Sequence, residues 1–208
     1  MTPDERKRYL WMASRHARRG SGSGSAVLRE RSEVYGSPNL DFLKARVDFV
    51  VVGGLATRLY MPERMTLDTD ILVLAMDVPA AEQALEGAGG AKEGALAIGG
   101  STWRMPEGRT LDLITLDAPW TEDAVRNPVE GEDDLPYIAL PYLVLMKLAA
   151  GRLQDLADIG RMLGAAGDET IEGVRKVVSQ YRPEDVDDLE SIVRLGKLEY
   201  GQSQAGND

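Results

Sequence analysis

Residues 47–75 read VDFVVVGGLATRLYMPERMTLDTDILVLA, and this stretch decides what kind of fold the chain takes. The run from Val47 to Val52 is apolar and β-branched, the composition of a strand buried on both faces, and it ends on Gly53 and Gly54. Residues 69–75 repeat the apolar pattern and predict a second buried strand, with Asp68 and Asp70 at its entry. Between them, residues 55–60 suit a short helix that stops near Pro62. Strand, glycine turn, helix and strand open an α/β fold, more narrowly an α+β mixed sheet.

Outward from this stretch the pattern continues in both directions. Residues 79–85 predict a helix, and the glycine-rich 87–100 stretch a loop with a weak strand around 95–98. Residues 101–105 and 109–116 flank Pro106-Glu107-Gly108 and read as a hairpin. A further strand is expected at 137–140, then helical sequence from 141 to 163 that breaks at Gly151, and helices over 169–180 and 187–198. Upstream, a helix over 4–19 precedes Gly20-Ser21-Gly22-Ser23-Gly24-Ser25, a flexible linker by composition whose strict alternation also looks like an engineered joint. A short helix over 26–35 follows. Ser37 and Pro38 then supply an N-cap and first-turn proline for a helix through Lys44. The expected division is 1–25 as helix and linker, 26–140 as the core, 141–200 as a C-terminal helical region, and 201–208 as a disordered tail. No internal repeat is visible.

Composition narrows the chemistry. The chain has 208 residues, 43% hydrophobic and 28% charged, ordinary values for a globular protein with a real core. No apolar run approaches the roughly 18 residues of a membrane span, and the N-terminus lacks an apolar signal core, so neither a membrane partner nor a secretory leader is expected. Without cysteine there is no disulfide, thiolate nucleophile or zinc–thiolate site, which favours the cytoplasm. The single histidine, His16, rules out any site built on two histidines, including the common zinc hydrolases and non-haem iron triads. What remains is catalysis by carboxylates, Lys, Arg, Tyr or a hard cation. The net charge is −10, yet Arg6, Lys7, Arg8, Arg15, Arg18 and Arg19 stand near the N-terminus against only Asp4 and Glu5. The rest of the chain is correspondingly more acidic and ill suited to broad contact with a phosphate backbone. The basic segment reads as a solvated helix face; contact with nucleic acid or with the protein's own acidic body is the sharper alternative.

Asp68 and Asp70, two residues apart at a strand entry, direct their carboxylates to one side. Like charges so close repel unless a cation lies between them, and Mg2+ or Mn2+ held by carboxylates and substrate phosphates meets that need. Gly53 and Gly54, after a buried strand and before a helix, would let backbone N–H groups approach a phosphate. Asp112 lies between Leu111 and Leu113 on the strand after the hairpin turn, where a charge is costly unless paired or on metal. It is a third ligand, or the base that prepares an attacking hydroxyl. Asp185 and Asp187 have the same spacing as Asp68 and Asp70 but follow Arg182-Pro183-Glu184, with no strand or glycine turn. That pair reads as a solvated helix start, favoured by the helix dipole. Trp103 is expected in the core and Trp120 at a helix start.

The stretch GGLATRLYMPERMTLDTDILV resembles the nucleotidyltransferase superfamily signature: strand, Gly-Gly or Gly-Ser, helix, then Asp-x-Asp on the next strand. The variant with Gly-Gly-x-Ala and then Arg64, Thr66, Asp68 and Asp70 looks most like the abortive-infection nucleotidyltransferase toxins. Downstream, LPYIALPYLVLMKLAAGRLQDLADI resembles that family's helix carrying a lysine, an arginine and paired aspartates, which fall here on Lys147, Arg152, Asp155 and Asp158. The likeness covers roughly residues 45–165. A second glycine replaces the serine of the broader superfamily, and the C-terminal region is shorter than in the longer toxins. The eleven residues from Lys147 to Asp158 return to nearly one helical azimuth at about 100° per residue, so these side chains share a face. The lysine, after an apolar run, is expected to emerge at the edge of the core and offset triphosphate charge, or else to pair with Asp155 or Asp158.

The resemblance implies a nucleotidyltransferase-like core with C-terminal helices, moving a nucleoside monophosphate from a nucleoside triphosphate to an acceptor hydroxyl. Asp68, Asp70 and Asp112 would bind Mg2+ or Mn2+ and, with Lys147, act in catalysis. Gly53, Gly54, Arg64, Thr66, Lys147, Asp155 and Asp158 would contact the nucleotide, and Arg58 could also reach phosphate. It further implies RNA or protein as acceptor, a toxin or phage-defence setting, and a cognate antitoxin as partner. Two alternatives stand beside it: transfer to a small molecule of the aminoglycoside type, and a non-catalytic nucleotide- or partner-binding module of the same fold.

Overall fold

The computed structural model describes residues 1–16, 38–61, 64, 66 and 68–201. The Gly/Ser linker, the helix expected over 26–35, Ser37 and the tail from 202 lie outside the described residues. Those described fall into two compact units: the chain up to Ala139 without its first helix, and that first helix with everything from Leu140 onward.

The first unit is built on the strands that the opening stretch predicts. Strand β1 (Phe49–Val52) is buried throughout, as an all-apolar run between two covered faces must be. It leads directly into helix α3 (Gly53–Tyr60), and β2 (Thr69–Val73) returns antiparallel to β1, with Val52 opposite Asp70. β3 (Ala91–Ala95), β4 (Gly100–Arg104) and β5 (Thr110–Ile114) form an antiparallel meander that joins β2 through a parallel β2–β5 pairing. Short strands β6 (Val129–Glu130) and β7 (Pro136–Tyr137) finish the sheet on the far side of β1. The sheet is thus mixed and seven-stranded, in the order β3-β4-β5-β2-β1-β7-β6. Helices α2 (Asp41–Lys44), α4 (Val78–Gly87) and α5 (Thr121–Arg126) complete the unit. Its core is Val50, Val51, Ile71, Leu72, Val73, Leu113 and Trp103, all fully buried.

Several boundaries differ from the sequence reading, each for a physical reason. Helix α2 starts at Asp41 rather than at Pro38, with Leu40 as its N-cap residue, and Asn39 Oδ1 accepts the Asp41 N–H in a local turn just ahead of it. The weak strand expected at 95–98 is β3 at 91–95, an edge strand with every residue exposed and so without the apolar alternation that marks a strand. The strand expected at 137–140 is only Pro136–Tyr137, because Leu140 already begins a helix.

The second unit is helical. α1 (Pro3–His16) packs with α9 (Val186–Tyr200), and α6 (Leu140–Ala150), α7 (Leu153–Ala165) and α8 (Asp168–Tyr181) build the rest. The break between α6 and α7 falls at Gly151, as expected. Among the described residues no helix is long and apolar enough to cross a membrane.

Candidate active site

Four neighbouring strands set one row of side chains. Val52 on β1 faces Asp70 on β2, Asp70 faces Asp112 on β5, and Asp112 faces Thr102 on β4. Adjacent strands lie about 4.8 Å apart, so backbone register sets Asp70 and Asp112 side by side. Alternation places Leu111 and Leu113 on the other, buried face, leaving Asp112 half-buried on this one. That resolves the cost of a charge in an apolar strand. Thr102 Oγ1 donates to Asp112 Oδ1 at 2.7 Å, a polar partner that the sequence reading missed. Counting back from the Pro106-Glu107-Gly108 turn, which pairs Arg104 with Thr110, would have set Thr102 opposite Asp112.

The glycine pair serves this row by being small. Gly53 has φ +60°, and a Cβ there would overlap Asp70 Oδ2 and stand 2.7 Å from Asp70 Cγ. A Cβ on Gly54 would meet Thr66 at 2.8 Å. The side chains of Asp70 and Thr66 therefore fill the space left by the two glycines, at the point where α3 begins. Any phosphate at this helix start would find Asp70 and Thr66 already against it. Thr66 is half-buried, and its Oγ1 accepts the Asp68 N–H at 3.3 Å. Asp68 itself precedes the first paired residue of β2 and is exposed, so it stands at the rim and outside the ladder. Arg64 and Arg58 are half-buried.

The row of Asp70 and Asp112 offers hard oxygen donors of the kind that suit Mg2+ or Mn2+. Among the described residues no three histidine or carboxylate side chains are gathered closely enough to hold an ion on their own. The donor set fits a cation that takes one or two carboxylates and completes its shell with substrate phosphates and water.

In the helical unit, Lys147, Arg152, Asp155 and Asp158 do come together. Lys147 Nζ lies 2.7 Å from Asp158 Oδ2 and 3.3 Å from Asp155 Oδ1, and Arg152 Nε donates to Asp155 Oδ2 at 2.7 Å. Gln154 Nε2 donates to Asp158 Oδ1 at 3.0 Å. Two expectations are corrected. The lysine does not emerge from the core but is buried between its carboxylates. The cluster also does not form along one helical azimuth, since Gly151 ends α6 and the aspartates reach Lys147 from α7.

The reading of Asp185 and Asp187 as a solvated helix start is corrected as well. Asp187 is exposed at the start of α9, but Asp185 is buried, paired with Arg182 and, at 3.0 Å, with Arg6 Nη1 on α1. Arg6 Nε also lies 3.3 Å from Asp188. The basic N-terminal helix thus touches the protein's own acidic body through Arg6, while Lys7 and Arg8 stay exposed. Burial pushes the Asp188 carboxyl above the usual carboxylate range, and the Arg6 charge only partly opposes it. Trp103 is fully buried, as expected, and its indole N–H donates to Ser101 Oγ at 2.9 Å.

No protein-family model matches the chain, and no curated protein matches it in sequence. Among solved structures, it is similar to the antibiotic-resistance factor ANT(2'')-Ia at 15% identity and TM-score 0.42, covering 81% of this chain and 90% of that one. It is also similar to the Thermotoga maritima CCA-adding enzyme complexed with tRNA, at 15% identity and TM-score 0.36, over 85% of this chain and 52% of that one. A cytoplasmic RNA terminal U-transferase is similar at 12% identity and TM-score 0.30, over 76% of this chain and 43% of that one.

Proposed function

We propose that the chain is a nucleotidyltransferase that moves a nucleoside monophosphate from a nucleoside triphosphate to an acceptor hydroxyl. The observation that carries this reading is the register that sets Asp70 beside Asp112, with the Asp70 carboxylate pressed against Gly53 at the start of α3. Asp70 and Asp112, with Asp68 at the rim, would hold Mg2+ or Mn2+. When bound, such an ion offsets phosphate charge and orients the triphosphate. Backbone N–H groups at Gly53 and Gly54 would meet phosphate oxygens at the positive end of α3, with Thr66 and Arg64 adding contacts. Asp112 would take the proton of the acceptor hydroxyl as its oxygen bonds to the α-phosphorus. The bond to the leaving pyrophosphate breaks in line, and pyrophosphate departs with that electron pair.

The expected nucleotide contacts of Lys147, Asp155 and Asp158 are given a different role in this proposal. An ammonium matched by two carboxylates has little charge to spare for a triphosphate, so the cluster is read as the brace between α6 and α7. By resemblance, the acceptor is RNA or protein and the setting a toxin or phage-defence pair with an antitoxin. A net charge of −10 favours a second reading, transfer to a cationic small molecule of the aminoglycoside type.

The test is incubation with each of the four labelled triphosphates and Mg2+, in total RNA, total protein and an aminoglycoside panel. Label should appear on one acceptor class and vanish in Asp70→Asn and Asp112→Asn. Undiminished transfer by those variants would sink the proposal, and nucleotide binding without turnover on every acceptor would favour the non-catalytic module.

A further inference from the structure

We propose that Thr102 is a positioning residue for Asp112, holding one carboxylate oxygen so that the other is presented to a divalent cation shared with Asp70. The inference rests on the reading of the site given above and adds a residue to it. A carboxylate on a strand turns easily about its last torsion, which has broad, roughly two-fold wells. Register fixes where the Asp112 Cβ stands, but not the plane of its two oxygens. The hydroxyl of Thr102, directly across the β4–β5 pairing, donates its single proton to Asp112 Oδ1 at 2.7 Å. A donor to an ionised carboxylate makes one of the stronger hydrogen bonds.

Thr102 is itself held from behind. Its β-branched side chain is stiff at χ1, and its two chain neighbours anchor the opposite face of β4. Trp103 is fully buried with its indole N–H on Ser101 Oγ, and that hydroxyl donates to Glu82 Oε1 at 2.9 Å. Lys92 Nζ closes this chain of contacts at 2.6 Å from the same Glu82 oxygen. The hydroxyl therefore meets Asp112 from a fixed strand, which is what orienting a ligand demands.

Calorimetric titration of the whole chain with Mn2+, at a fixed saturating concentration of a non-hydrolysable nucleoside triphosphate analogue and with the analogue alone as blank, tests the assignment. Thr102→Val keeps the β-branch and removes the donor, and should weaken Mn2+ binding by about tenfold. Thr102→Ser keeps the hydroxyl and should stay within about twofold of the parent, a rescue that a merely structural role would not produce. Metal-free melting temperatures of the variants report whether the fold is intact, and Thr102→Ala stands in should Thr102→Val not fold. If Thr102→Val binds Mn2+ like the parent while Asp112→Asn loses it, the positioning role is wrong and the site stands. If Asp112→Asn also binds like the parent, the reading of the site itself has failed.

Discussion

At Gly53 one missing carbon decides the site. Its φ of +60° costs an L side chain about 1–2 kcal/mol, and the position of its absent Cβ is taken by the Asp70 carboxylate. Gly53→Ala should therefore do more harm to transfer than to stability. We expect a loss of roughly a hundredfold in kcat/KM, the scale of a misplaced reacting group, with a modest fall in Tm. Gly87, where a Cβ would meet nothing within 4 Å, is the control. Gly87→Ala at the end of α4 should leave activity unchanged and be neutral or stabilising by about 0.5 kcal/mol. Steady-state kinetics and thermal melts on the two variants check both, and equal losses of activity would refute the steric account. Asp70 and Asp112 could be picked out from sequence because each is a charge set in an apolar strand. Asp185 could not be read correctly, because its buried partner Arg6 is 179 positions away and no local window contains both.

Among the elements, α7 and α9 approach so closely that only glycine fits. A Cβ on Gly196 would stand 2.9 Å from the Gly160 carbonyl carbon and 3.0 Å from the Gly164 nitrogen. Gly196→Ala must push the two helices apart, and overpacking of this kind costs about 1–3 kcal/mol despite the better helix propensity of alanine. A urea midpoint unchanged from the parent would overturn it. The docking of α1 on α9 gives an asymmetric pair. Asp185 has two arginine partners and lies buried, so Asp185→Asn should destabilise by about 3 kcal/mol. For Asp188 burial outweighs Arg6 and raises the carboxyl pKa in the folded chain. The folded form then holds a proton more readily than the unfolded one, so over that window stability rises as pH falls. Asp188→Asn should be neutral or stabilising near pH 7 and should remove this acid-side gain, as denaturation at pH 4 to 7 would reveal. Apolar elements such as β1, β2 and α6 were legible because extensive burial leaves a strong pattern. β3 was not, since an exposed edge strand such as AKEGA carries none, and β6 and β7 are too short to show any period.

For the molecule as a whole, the sequence reading expected helical sequence from residue 141, one residue after α6 begins. It had no means of grouping α1 with those helices, because the contacts that do so join opposite ends of the chain. Charge is the whole-molecule property that bears most directly on the acceptor. With 34 acidic against 24 basic residues, the chain attracts cations and repels polyanions over distances longer than any single contact. Screening shortens that reach to about 8 Å at physiological ionic strength, so salt acts in opposite directions on the two acceptor classes. If the acceptor is a cationic small molecule, kcat/KM should fall severalfold between low and high salt, chiefly through KM, as attraction is screened. If the acceptor is RNA, relief of repulsion should leave the rate flat or raise it over the same range. A basic protein acceptor would follow the first pattern and an acidic one the second. Measured at fixed free Mg2+ with the labelled triphosphate saturating, the sign of the slope therefore reports the charge of the acceptor before its identity is known. A fall with salt on an RNA acceptor would require a local basic groove stronger than the acidic body, and would overturn the use of net charge as a guide to the acceptor.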